Sequence, residues 1–380
     1  MKRVLRWSAF VVVLLVITCI TTGAVINWVA TTGVNEGLDQ IRRENAPIAM
    51  ASVQPPDCNP DENAAAPLLG AFRDLDDALD EFRLDGSIPS TSLAAKIPDL
   101  VAKYGERLAA ARIALQRPRC RFDIDYVKGV SALLPHILPV LRGAKLMKAE
   151  AFDRRAKNDV AGSIDSALDL LTLAVLLAEE PIFVTQLVRS GMAIDAMGLI
   201  EAQPMTAAQE ERLIGLLDRA ELRQGLARAL QADRAMVIQV YGDLLAGHAA
   251  GSGVPDYLAW WPMRPLVRRE FAGYLRAMND LVALARRDYH ECKNALETVE
   301  RSIHGSRTAG MFVPAVSKVA LTMTKAQARL DLARLAVAVR RGKELPTLTD
   351  PFSGRPYGRN GDLLWSAGES GRDDVTWRVR

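Results

Sequence analysis

The chain has 380 residues, of which 49% are hydrophobic and 24% charged, a composition that can bury a sizeable core and excludes an intrinsically disordered chain. Only 6% of the residues are aromatic, whereas Ala, Leu and Arg are abundant, and this favours helix packing over sheets. The net charge of +3 equals the contribution of Lys2, Arg3 and Arg6. The remaining chain is therefore neutral, which argues against a nucleic-acid surface.

The first predicted element is a membrane helix. Residues 9–26 are apolar except for three threonines, whose hydroxyls can bond back to helix carbonyls. Trp7 and Trp28 flank this segment and would lie about 31 Å apart along a helix, which matches the roughly 30 Å of a hydrocarbon core. Because tryptophan is typical of both membrane interfaces, residues 7–28 are predicted to contact the membrane, with Trp7 and Trp28 at its two surfaces.

The charge distribution predicts the orientation of this anchor. Basic residues before the apolar segment keep the N-terminus in the cytoplasm, so the bulk of the chain is exported. Two processed forms are alternatives to an uncleaved anchor. Signal-peptidase cleavage could follow residues 22–24, although the apolar run continues past them. Lipidation could occur at Cys19, although Thr18 is unusual before a lipidated cysteine.

After the anchor, residues 31–60 are predicted to form a juxtamembrane stalk that ends in the sequence PPDCNP, where prolines stop a helix. A helix over about residues 61–84 and a second one ending near residue 116 are then predicted to form an antiparallel hairpin. Such a hairpin brings Cys58, before the first helix, beside Cys120, after the second. In an oxidising compartment these cysteines are predicted to form a disulfide, which leaves Cys292 free.

Residues 61–342 are predicted to form an exported helical domain. Asn158 or Asp159 caps one helix, Thr206 and Gln209 form a capping box, and Gly342 closes the last helix. Residues 343–380 are rich in Gly and Pro and contain two strand-length runs, which predicts a small β-hairpin element. The predicted fold class is therefore all-α, a multi-helix bundle or irregular helical solenoid, with residues 1–30 as cytoplasmic stub and transmembrane helix.

The sequence carries no motif that predicts catalytic or cofactor-binding residues. Its four histidines are not at metal-ligand spacing, and His290-Glu291 lacks the second histidine of a zinc-protease helix because Asn294 is there. The glycine-rich motifs of nucleotide-binding proteins and the serine motif of α/β-hydrolases are also absent from the sequence. No cofactor is therefore predicted from these motifs.

The densest aromatic cluster is YLAWWPMR, in which Tyr257, Trp260 and Trp261 precede Arg264. Aromatic residues beside arginines suit a contact surface, either a membrane interface or a groove for a partner. They also suit a loop that folds over the helical body and fills its end. Packing is the favoured interpretation, because large aromatic side chains are mostly buried.

The tail carries a resemblance to a known family. DPFSGRPY followed by GDLLWSAGESGRDD resembles the C-terminal loop of the major pseudopilins of type II secretion, which folds around calcium. The resemblance implies Asp373 and Asp374 as calcium ligands. Glu369 and Ser370 depart from its usual Pro-Asp, and the N-terminus lacks the prepilin signature.

The middle of the chain is similar to large, membrane-anchored bacterial envelope proteins that combine an ENAAPL-like segment, an EEP…QLVR segment and such a tail. This resemblance implies a single-pass protein of the bacterial inner membrane with a periplasmic domain. It implies no particular activity.

These observations predict a non-enzymatic interaction or scaffold role, with other envelope proteins as partners. One alternative is a structural subunit of a secretion or pilus-like assembly. A second is an envelope enzyme that acts on glycan through paired carboxylates such as Asp77 and Asp80, which are otherwise predicted to lie on a solvated helix face. A cleft lined by two facing acids would favour the enzyme, whereas a closed bundle would favour the interaction role.

Overall fold

The computed structural model describes residues 2–132, 134–248, 255–304, 306, 309–369 and 375–379. The helices are α1 (Lys2–Arg43), α2 (Ala65–Phe72), α3 (Thr91–Lys103), α4 (Gly105–Leu115), α5 (Ile137–Ala156), α6 (Val160–Leu176), α7 (Phe183–Ile200), α8 (Ala207–Arg219), α9 (Arg223–Ala246), α10 (Arg264–Ala285), α11 (Tyr289–His304), α12 (Ala309–Phe312) and α13 (Val316–Arg340). The strands β1 (Gly358–Asn360), β2 (Leu363–Ser366) and β3 (Val375–Arg378) form one antiparallel sheet in chain order. The predicted all-α class with a small C-terminal β-element is confirmed.

The core is built around α6, which packs between α5 and α7, with α8 along another side. Val160–Glu179 is long and apolar enough to cross a membrane, but 78% of its most apolar window is buried inside the protein, so it is a core helix. From α7 the packing continues to α13, on which the sheet rests, and through α9 to α10 and α1.

Several helix ends follow the sequence signals. The Asp159 side chain accepts a hydrogen bond from the Gly162 amide at the start of α6. Thr206 and Gln209 form the predicted capping box of α8. Gly342 follows α13 with φ of +58°, a backbone conformation that glycine adopts without a Cβ penalty.

The predicted helix over residues 61–84 is wrong. The helix α2 ends at Phe72, Asp74 has φ of +54°, and residues 77–81 form a 3₁₀ turn capped by Asp76. The reason lies in α5, where Arg142 pairs with both Asp77 and Asp80, at 2.7 Å from the latter. This guanidinium lowers the pKa of Asp80. The acids therefore hold a turn over the start of α5 and do not form a solvated helix face.

A further expectation needs the same kind of correction. The second arm of the predicted hairpin is broken at Tyr104 into α3 and α4, and α2 packs against α4.

The stalk is also corrected, because α1 continues without a break through residue 43. Beyond the apolar segment, its inner face packs on α10 through Ala30, Gly33, Gly37 and Ile41. These residues recur every three or four positions, the spacing of one helix face. Ile41 is fully buried. Residues 31–43 are therefore part of the folded domain.

The contacts between α1 and α10 show that the two helices run parallel. Near the start of α10, Arg268 donates a hydrogen bond to Asn27. Further along, the Asn279 amide donates to the Gly37 carbonyl at 3.2 Å and to the Gln40 side chain at 3.1 Å. The sequence separation of these pairs stays between 239 and 242 residues. A nearly constant separation means that both chains advance in the same direction.

The close approach of α1 to α10 depends on glycine, which gives a first testable prediction. A Cβ at Gly37 would lie 2.9 Å from the Cβ of Leu275, whereas a Cβ at Gly23 would meet nothing within 4 Å. Gly37→Leu is therefore expected to lower the free energy of unfolding by about 1–3 kcal/mol through overpacking. Gly23→Leu is the matched control in the same helix. Thermal unfolding of both full-length variants in detergent tests this, and equal midpoints would contradict the packing described.

Candidate functional site

The predicted contact residues lie in the loop before α10. Tyr257 and Trp260 are each 62% exposed and Trp261 is 70% exposed, whereas Leu258 is buried. The favoured interpretation, that the loop buries its aromatic side chains, is therefore wrong for these three residues, and the loop packs inward through Leu258 instead. Arg264, in the first turn of α10, is half-buried.

The cysteine pair lies where two chain segments run side by side. The Ala64 amide donates to the Arg119 carbonyl at 2.8 Å, and the Arg119 guanidinium donates to the carbonyl of Asp57 at 3.1 Å. Cys58 is half-buried and Cys120 is buried, and both are free thiols, as is Cys292. Burial raises the pKa of the Cys120 thiol, and nearby negative charge raises it further. The two segments meet as expected, but the predicted disulfide is not formed in this structure.

Beside Cys120, a buried histidine pairs with a buried carboxylate, and this pair was missed from the sequence. His136 Nε2 lies 2.8 Å from Glu180 Oε1, and the Thr185 hydroxyl donates to the same oxygen at 2.8 Å. The Phe122 ring stacks on the imidazole with 4.1 Å between centroids. A cysteine near such a pair resembles a nucleophile with its base. Burial and nearby negative charge raise the pKa of the Cys120 thiol, which works against formation of the thiolate.

Carboxylates inside the helical body are held by cations. Lys148 Nζ lies 2.9 Å from Asp195 Oδ1, and both side chains are buried. Burial raises the pKa of Asp195. Arg112 bridges Glu150 and Asp169, at 2.8 Å from the latter, and so joins α4, α5 and α6. These pairs link helices distant in sequence and have a structural role.

A cavity of about 380 Å³ lies where the start of α9, the turn between α10 and α11, and the middle of α13 meet. Its volume is within the range of small-molecule sites. The apolar part of its lining includes four large aliphatic or thioether side chains: Leu226, Leu284, Leu296 and Met323. Four guanidinium groups also belong to the lining: Arg223, Arg228, Arg286 and Arg287. The combination suits a ligand with one apolar part and one anionic group.

Two of the four arginines of this cavity, Arg223 and Arg287, are held by exposed ion pairs. Arg223 lies 2.5 Å from Asp288, the single carboxylate in the lining. Arg287 lies 3.1 Å from Glu291. Both pairs are substantially exposed, and exposed ion pairs contribute only about 0–1 kcal/mol. A ligand carboxylate can therefore replace these partners. Two facing acids, as a glycan-cleaving enzyme needs, are not found among the lining residues that the structure describes.

The tail packs on α13, and Asp350 near its start is hydrogen-bonded by other residues of the tail. Asp350 is buried and accepts hydrogen bonds from the Ser353 and Ser366 hydroxyls at 2.7 and 2.6 Å. The calcium candidates Asp373 and Asp374 lie outside the described residues. Within the described ranges, no group of three or more His, Cys, Asp or Glu side chains is placed to hold a metal ion. Calcium binding by the tail stays a prediction.

Comparisons with protein-family models, curated proteins and solved structures found nothing that matches this chain. The two family resemblances of the sequence therefore stay expectations. Any function must be argued from the geometry of the aromatic loop, the cavity and α1.

Proposed function

We propose that the chain is a single-pass envelope protein with a non-enzymatic interaction or scaffold role, anchored by the first half of α1 with its helical domain outside the cytoplasm. The observation that carries this proposal is the division of α1 into two halves. Only 6% of its most apolar window is buried, although the helix is long and apolar enough to span a membrane. The second half is packed into the domain. An apolar helix half left uncovered needs lipid as its solvent.

The ends of this uncovered half support the anchor. Trp7 and Trp28 are 71% and 70% exposed, and they lie on either side of the apolar segment. Because α1 is one helix, the domain begins directly at the outer membrane surface. A domain held this closely suits a role in positioning other envelope components. The bacterial inner membrane and a periplasmic domain belong to this proposal.

A topology experiment tests the proposal. Alkaline phosphatase, which is active only outside the cytoplasm, is fused after Arg380, and activity is expected because the basic N-terminus stays inside. Replacing Lys2, Arg3 and Arg6 with Glu is expected to reduce this activity. Intact-mass analysis is expected to show that residues 2–24 are retained. An inactive wild-type fusion would contradict the orientation, and loss of residues 1–24 would replace the anchor with a cleaved signal sequence.

A second readout of the same export is oxidation of Cys58 and Cys120, whose thiols are free in this structure but lie in two segments that run side by side. A disulfide between them would close a loop of about 62 residues and stabilise the fold by about 4 kcal/mol in the chain-entropy model. Peptide mapping of the membrane-isolated protein without reductant is expected to find Cys58 linked to Cys120 and Cys292 free. Linkage of Cys58 to Cys292, or two free thiols, would contradict the pairing.

The arginine-lined cavity favours a second candidate function, the binding of a small amphiphilic carboxylate. Arginine recognises carboxylates through paired, charge-assisted hydrogen bonds, and the leucines and methionine of the lining would cover the apolar part. Arg286 in the lining of this cavity lies 3.7 Å from Glu44, the residue that directly follows α1. A ligand that binds Arg286 would therefore compete with its ion pair to Glu44, at the end of α1 that packs into the domain.

The test uses 4-phenylbutyrate and its neutral amide as probes of the full chain in lipid nanodiscs. Hydrogen bonds to a charged group contribute about 1.5–3 kcal/mol, so the acid is expected to bind roughly tenfold or more tightly than the amide. Thr324→Phe, which fills part of the cavity, is expected to abolish binding in isothermal titration. Ile113→Ser, at an exposed site on α4, is the control that leaves binding unchanged. Equal affinities for acid and amide would exclude the proposed recognition.

A further inference from the structure

The parallel register of α1 and α10 fixes which end of the domain faces the membrane. Arg268 contacts Asn27, which directly precedes the interface residue Trp28. Arg264 is one helical turn, or about 6 Å, closer to the anchor than Arg268. If the first half of α1 is the anchor, as proposed above, the loop before α10 lies at the depth of the membrane surface.

The end of α9 and the helix α12 also lie at this end of the domain. The ring of Tyr241, near the end of α9, lies 4.6 Å from that of Phe271, near the start of α10. Arg234, earlier in α9, bonds to Asn279, later in α10, at 2.7 Å. The two helices are therefore antiparallel, and α9 ends on the membrane side. The Tyr241 ring also contacts Phe312 of α12 at 6.0 Å, which brings α12 to this end.

At this end of the domain, the loop before α10 and the helix α12 both carry exposed apolar side chains. We define the aromatic end surface as Tyr257, Trp260, Trp261 and Met311, each of which is at least 61% exposed. Elsewhere on the domain, the described large apolar side chains with comparable exposure are spread over separate elements: Ile88, Ile113 and Val127. A contiguous group of exposed aromatic residues marks a contact surface.

We propose that the aromatic end surface inserts into the outer interface of the same bilayer that α1 crosses. Tryptophan and tyrosine have apolar rings with a polar edge and are stabilised at the headgroup level. The exposed Arg269 and half-buried Arg268 lie in the adjoining turns, where guanidinium groups can bind lipid phosphates. The occupant is lipid rather than protein, because a partner here would have to share the depth of the membrane surface beside Trp28. The domain then contacts the membrane twice, which fixes its tilt.

Bromolipid quenching tests this insertion directly. The chain has six tryptophans, and Trp7→Phe with Trp28→Phe leaves Trp260, Trp261 and the two tryptophans of the β-element, Trp365 and Trp377. This variant is reconstituted into vesicles of phosphatidylethanolamine and phosphatidylglycerol, with acyl chains brominated near the headgroup. Its fluorescence is expected to be quenched. Adding Trp260→Ser and Trp261→Ser is expected to remove the quenching, whereas Ile88→Ser with Ile113→Ser is expected to preserve it.

The outcomes separate this inference from the proposed anchor. A protein that resists alkaline carbonate extraction but shows no quenching of Trp260 and Trp261 would overturn the insertion and leave the anchor intact. Release by carbonate would overturn the anchor itself. A photo-crosslinking residue at Trp261 that labels lipid supports the insertion. Labelling of a second copy or another envelope protein instead of lipid would contradict it.

Discussion

The structure depends on the contact between α1 and α10. Residues 9–26 of α1 are apolar apart from three threonines and are little buried, whereas the residues after them are apolar mainly where they meet α10. That contact requires small residues in α1. A Cβ at Gly33 or Gly37 would lie only 3.1 or 2.9 Å from the Cβ of Ala272 or Leu275, so a larger side chain would push the helices apart. Since α1 does not break before residue 43, the direction of its apolar segment also sets the direction of α10. The helix α9 packs antiparallel to α10.

The proposed sites lie at opposite ends of α10. The aromatic end surface precedes its first turn, and the arginine-lined cavity is at its last turn, beside Glu44. Glu44 is 16 residues beyond Trp28, or about 24 Å along a helix. If α1 is the anchor proposed above, the cavity opens well away from the membrane, where a soluble ligand can reach it. In this proposed orientation, the aromatic end surface would hold the domain at the membrane and the opposite end would carry the ligand recognition.

The sequence was sufficient for features that depend on local chemistry. The apolar run of α1, the capping box of Thr206 and Gln209, and the closing Gly342 all act within a few residues. The predictions were wrong where the local structure depends on residues that are far away in the sequence. Asp77 and Asp80 read as a solvated helix face because their partner, Arg142, is more than sixty residues away. The stalk failed likewise, because the partners of Gly33 and Gly37 lie in α10.

The candidate sites show the same division. Composition identified Tyr257, Trp260 and Trp261 as a cluster, but only the packed bundle reveals that Leu258 is buried while the aromatic residues are exposed. The cavity could not be predicted, since α9, α11 and α13 contribute side chains from positions about one hundred residues apart and no local motif joins them. The His136–Glu180 pair escaped for the same reason.

The parallel contact between α1 and α10 is the central claim, and disulfide trapping tests it most directly. In a full-length chain whose native cysteines are replaced by Ala, one pair of new cysteines is placed at Gly33 and Ala272, where a Cβ at 33 would be 3.1 Å from that of 272. A second pair is placed at Ala30 and Ala285, which would meet only if the helices ran antiparallel. Mild oxidation in membranes is predicted to cross-link the first pair and leave the second unlinked. Cross-linking of the second pair without the first would contradict the arrangement on which the anchor, the membrane-facing end and the distant cavity all depend.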